Sequence, residues 1–83
     1  MSHTPHDLAL DFPQYAQQIH DLREEDAHFA RLLEQYNNIN KQVGDAETNI
    51  RPMPQSEETA LRKERMRLKD VLYHMLVAAA AEA

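Results

Sequence analysis

Three groups of side chains in this sequence have types and spacings that could do chemistry. His20, Glu24 and His28 recur every four residues. On one unbroken helix they would set two imidazoles and a carboxylate on one face, an adequate zinc set. The spacing is not that of a helical metalloprotease, and a helix break at Asp26 would carry His28 off that face. Met1-Ser2-His3, with His6 nearby, offers an amine and imidazoles suited to copper or nickel. Removal of the initiator methionine before a small serine would alter that spacing. A solvated polar face and adventitious binding account for both sets, so no metal ligand is assigned.

The third group is Arg62, Lys63, Arg65, Arg67 and Lys69, five cations within eight residues. On a helix, Lys63 and Arg67 share one side and Arg62 and Lys69 another, while Arg65 turns inward. Glu58 and Glu64 are local partners, and Glu34 and Glu47 lie on the acidic half of the chain. Ion pairing and solvation are the expected state of these cations. Contact of Arg62, Lys63, Arg67 and Lys69 with RNA or DNA is the alternative, though no aromatic platform for stacking bases accompanies them. No acid, base or nucleophile is arranged for a water-excluding pocket, so no catalytic residue and no cofactor are expected.

The whole chain narrows the field further. Eighty-three residues allow one small domain. The absence of cysteine removes thiol and disulfide chemistry and suits a reducing cytoplasm. No long apolar run would span a membrane, and the first residues lack the basic-then-apolar pattern of a secretory signal. The single glycine, Gly44, argues against a β-rich fold and a phosphate-cradling loop. Net charge is −5, with −6 on residues 1–50 and +1 on residues 51–83. That balance favours a protein partner over nucleic acid.

The elements that must carry these side chains are helices. Residues 1–11 are polar, without periodicity, and read as a mobile arm with room for a short turn at His6–Leu10. Helices are expected at about 13–47 and 56–80, joined by a loop at about 48–55 that contains Pro52 and Pro54. From Tyr15 the apolar spacing is regular, through Ile19, Leu22, Phe29, Leu33, Tyr36 and Val43. Asp26 and Asn40 are the polar exceptions. Asp26 either lies inside one long helix or caps a new one starting at Ala27. Ser56 is the expected cap of the last helix, with Glu57 and Glu58 favoured by its N-terminal dipole.

Folding the chain at Pro52 registers two seams. Phe29, Leu33, Tyr36, Asn40 and Val43 face Leu61, Arg65, Leu68, Leu72 and Met75 in an antiparallel two-helix coiled-coil hairpin. Val43 would lie beside Leu61 and Phe29 beside Met75. The polar Asn40 would meet Arg65 and accept from its guanidinium. Two apolar sets remain. Met66, Tyr73, Leu76 and Val77 line an outer stripe, and Phe12, Tyr15 and Ile19 lie where the second helix has run out. A lone hairpin of this size buries little surface. Tyr15, Ile19, Met66, Tyr73, Leu76 and Val77 therefore read as a self-association surface, most simply of a dimer forming a helical bundle.

The stretch Leu61-Arg62-Lys63-Glu64-Arg65-Met66-Arg67-Leu68-Lys69-Asp70 resembles the signature helix of the YdcH-like proteins (domain of unknown function 465), small bacterial cytoplasmic proteins. Upstream, Phe29, Leu32, Tyr36-Asn37 and Ile39 are similar to that family's first-helix pattern, and Phe29 to Asp70 aligns without a gap. The resemblance covers roughly residues 12–77. It implies an antiparallel helical hairpin that often self-associates, and it supplies no activity, cofactor or catalytic residue. Asp26-Ala27 stands where family members often have Asn-Pro, a cap and first-turn pair. Tyr36 stands where histidine is common, which argues against a catalytic or metal role there.

The expected function is a non-enzymatic helical-hairpin adaptor that self-associates and presents helix faces to a protein partner of unknown identity. The alternative is a small RNA- or DNA-associated regulator using the basic side of the second helix.

Overall fold

The computed structural model describes residues 8–48 and 53–82, and every element among them is helical. The all-α expectation is borne out. A single turn, α1 (Leu8–Asp11), leads through a 3-10 turn at Pro13–Tyr15 into α2 (Ala16–Glu25). After one intervening residue comes α3 (Ala27–Glu47), and α4 (Gln55–Ala81) completes the chain. The first seven residues, including His3 and His6, and residues 49–52 of the expected loop lie outside the described residues.

Asp26 decides the shape of the first half. Its backbone is extended, at φ −123° and ψ 104°, and its carboxylate accepts from the amides of His28 at 2.9 Å and Phe29 at 3.1 Å. Its own amide donates to the Leu22 carbonyl at 2.8 Å, so the same residue ends α2 and starts α3. A cap of this kind contributes about 1 kcal/mol. Of the two alternatives the sequence left open, the broken helix is the one formed.

The last helix has no proline or glycine between Gln55 and Ala81. At 1.5 Å per residue its 27 residues span about 40 Å. That matches the 43 Å long axis, so α4 runs the length of the molecule. Its start corrects the expectation for Ser56. The Pro54 carbonyl accepts from the amides of Glu57 and Glu58, which begins the helix before Ser56 and places that serine inside the first turn.

α3 and α4 form the most extensive helix–helix packing, and α2 lies against both. One apolar cluster joins Phe29, Leu33 and Tyr36 of α3 to Leu68, Leu72 and Leu76 of α4, with Leu8 of α1 and Ile19 of α2 packed into it. A Leu or Phe buried this fully is worth about 1.5–3 kcal/mol of transfer free energy. Near the connection between the two long helices, Arg62 reaches Glu47 at 2.7 Å.

Three expectations are corrected by this packing. Residues 8–11 are not part of a mobile arm: Leu8 is fully buried and sits in the core. Ile19 and Leu76 do not lie on an open outer face, being 7% and 0% exposed. Phe12, Tyr15 and Ile19 are not stranded beyond the end of α4, because they pack against the core cluster or belong to it. The physical reason is the same throughout. The extended residue at Asp26 turns α2 back onto α3 and α4, and one chain covers apolar surface that a straight helix would leave bare.

Candidate functional site

The side chains that do something other than fill the core gather where α1, α3 and α4 meet. The Tyr36 hydroxyl, on a residue only 1% exposed, donates to Asp11 Oδ2 at 3.1 Å. Lys69 Nζ lies 3.6 Å from that same oxygen and 5.5 Å from the centre of the Phe12 ring. Burial pushes the Tyr36 phenol above its ordinary range, and the neighbouring Asp11 adds to that. The hydrogen-bonded Asn40 side chain and the Arg65 charge act the other way. Asn40 itself is 3% exposed.

The expected bond from Arg65 to Asn40 is not formed. Arg65 Nη1 is buried and reaches no hydrogen-bond partner among the described residues, and it does not reach Asn40 Oδ1. Tyr36, one turn back along α3, engages Asn40 instead. A buried donor without a partner costs about 1–3 kcal/mol.

Beside this polar cluster lies an aromatic one. The rings of Phe12 and Tyr73 are 5.2 Å apart, Tyr15 and Tyr73 6.1 Å, and Phe12 and Tyr15 6.5 Å. Such pairs add about 0.5–1.5 kcal/mol each beyond area burial. Phe12 and Tyr73, with Met66, Lys69 and Asp70, line a shallow, wide-mouthed groove of about 290 Å³. Met66 is 72% exposed, and Val77, further along α4, is 36% exposed. Of the six residues expected to form an outer surface, Met66 and Val77 are the exposed ones, while Tyr15 and Tyr73 are half-buried in the aromatic cluster.

The seam residues fall in two classes. Phe29, Leu33, Tyr36, Asn40, Val43, Leu68 and Leu72 are buried, whereas Leu61, Arg65 and Met75 are half-buried. The cations of α4 are largely engaged within the chain. Arg62 contacts Glu47 at 2.7 Å and Glu58 at 2.6 Å. Arg67 grips Glu64 through two bonds, of 3.0 and 2.6 Å, which holds the Glu64 carboxyl below its ordinary range. Lys63 is exposed and makes no ion pair among the described residues. Among those residues no group of three or more histidine, cysteine or acidic side chains is placed to hold a metal ion. His28 follows the Asp26 break in the first turn of α3, on a different helix from His20 and Glu24.

Against this geometry the comparison with known families is informative. The family model described as "Protein of unknown function (DUF465)" matches residues 29–76. The chain belongs to this family. Membership is as the Leu61–Asp70 stretch led one to expect, but the match is narrower than residues 12–77 and begins at Phe29, in the first turn of α3. The DUF465 segment therefore comprises nearly all of α3 and most of α4, while α1, α2 and the Asp26 cap lie before it. Comparison with curated proteins and with solved structures returns no match.

Sequence reasoning missed Leu8 and Asp11, which tie α1 to the DUF465 helices. A signal was present. Leu8 and Phe12 extend the four-and-three apolar spacing back from Tyr15 without a slip, and Pro13 disguised it as a boundary. Nothing of the kind marks Asp11, whose role depends on where α1 folds.

Proposed function

We propose that this DUF465 member is a non-enzymatic interaction protein of the cytoplasm that self-associates and presents a helix face to a protein partner. In this reading α3 and α4 form an antiparallel coiled-coil hairpin, and two hairpins meet as a dimeric helical bundle. The observation that carries it is the open stripe on α4. Met66 stands 72% exposed at a groove whose other walls are the Phe12 and Tyr73 rings, and Val77 continues the stripe. Single exposed apolar residues are ordinary, but a contiguous apolar groove rimmed by Lys69 and Asp70 is the type of surface that partners cover.

The paired charge Met66→Glu with Val77→Glu tests it. The parent chain should sediment as a dimer and the variant as a monomer, with helix content unchanged because neither side chain is buried in the core. Equal masses for parent and variant would sink the assignment of this face. The nucleic-acid alternative draws less support, since Arg62, Arg67 and Lys69 already face carboxylates within the chain.

A further inference from the structure

The apolar spacing of Leu8, Phe12, Tyr15, Ile19 and Leu22 runs on across Asp26 into α3 in the same register. A continuous helix through Asp26 thus satisfies the sequence pattern as well as a broken one, and a single cap separates the two. In the folded chain α1 and α2 lie back on α3 and α4, yet their seating is incomplete. α2 contributes one buried side chain, Ile19. A crevice of about 270 Å³ runs between Ile19, His20 and Arg23 on one side and Leu33 and Asn37 on the other. The segment also lies before the residues that the DUF465 model matches.

We propose that Asp26 is a hinge and that residues 8–25 exchange between two copies of this chain, each α1–α2 segment seating on the other copy's α3–α4 pair. The occupant is a second copy because the surface already fits this segment in the monomer. Leu8 fills the core there, and Asp11 engages Tyr36 and Lys69. Exchange remakes those contacts between chains and alters only the hinge, which makes it a low-cost route to a dimer. With the hinge straightened, Asp26 gives up its two cap bonds and becomes an interior helical residue. Phe12 and Lys69 border both this surface and the Met66 groove, but exchange needs neither Met66 nor Val77 in contact with a partner, so the inference goes beyond the function proposed above and can fail without it.

The test uses the Asp11–Lys69 pair. Equal amounts of unlabelled and nitrogen-15-labelled full-length chains are unfolded, refolded together at high concentration, and separated by size. A zero-length carbodiimide then couples the Asp11 carboxylate to the Lys69 amine, 3.6 Å apart. In an exchanged dimer about half of the coupled peptides should join a light to a heavy chain, and in the monomer none should. Asp26→Ala removes the cap and supplies a strong helix former, so it should raise the dimer-to-monomer ratio roughly fivefold, whereas Asp26→Asn keeps a cap and should match the parent. A dimer with only same-isotope couplings overturns the exchange. If that dimer is also lost on Met66→Glu with Val77→Glu, the open stripe stands and the hinge does not. A parent chain that stays monomeric after joint refolding overturns the exchange too. Should Asp26→Ala lose its helix content, the isotope pattern of the parent decides.

Discussion

The Tyr36 hydroxyl is shared between Asp11, which arrives from α1, and Asn40, one turn along its own helix. Its position turns a seam residue into a link between the N-terminal segment and the DUF465 helices. Because burial raises the phenol above the usual value near 10, the folded state favours the neutral form. The sign follows. This stabilisation is fully present below about pH 10 and is lost as pH rises from there through the raised value, since the unfolded chain gives up its proton first. Tyr36→Phe should cost about 0.5–1.5 kcal/mol at neutral pH, the net worth of a hydrogen bond, and should flatten the alkaline fall in stability. Urea titrations of both chains at neutral pH and above pH 10 check this. Parallel curves for the two chains would remove Tyr36 from the link. That Tyr36 lies inside was legible from its spacing. That Asp11 meets it was not, because the contact spans 25 residues and depends on the turn at Asp26.

Helices form a hierarchy of commitment. α3 and α4 share the largest interface and most of the fully buried side chains, whereas α1 and α2 add Leu8 and Ile19. Leu72→Ala should therefore cost about 2–5 kcal/mol, as for a leucine truncated in a packed core. Leu8→Ala should cost less, because α1 and α2 can undock while α3 and α4 remain, which caps the penalty at the undocking free energy. Hydrogen exchange distinguishes the cases. After Leu8→Ala, amides of residues 8–25 should exchange faster while those of Leu33 to Tyr36 and Leu68 to Leu72 keep their protection. Uniform acceleration would mean that the elements unfold as one unit. The helices themselves were readable from periodicity, whereas Asp26 was legible only as one of two alternatives, an interior residue or a cap. The start of α4 was misread by assigning its cap to Ser56, because a proline carbonyl can accept the first helical bonds without any capping side chain.

For the whole molecule, charge and cover set what it can meet. With a net charge of −5, and with Arg62, Arg67 and Lys69 each beside a carboxylate, the basic run presents little free positive field. No retention on single-stranded or duplex nucleic acid is expected at about 50 mM salt, where a phosphate-binding protein would bind well. Retention that weakens steeply with salt and is lost in Arg67→Glu would reverse this. The ion pairs with Glu47 and Glu58 were foreseeable from the sequence, the first from proximity across the connection and the second from four-residue spacing. Among the described residues no helix is long and apolar enough to cross a membrane.

By itself the sequence determined that the chain is helical, about where its long helices lie, and which family it belongs to. These follow from local rules: propensity, spacing, caps, and a ten-residue signature at Leu61–Asp70. Only the tertiary structure decided that α2 folds back. The four-and-three spacing is identical for a straight and a bent chain, so it cannot report direction. With that direction came the burial of Leu8, Ile19 and Leu76, the meeting of Asp11 with Tyr36 and Lys69, and the narrowing of the open apolar stripe to Met66 and Val77 beside the Phe12 and Tyr73 rings. Each depends on residues far apart in the chain being brought together, and the turn at Asp26 that brings α1 and α2 back is one that the local pattern left open.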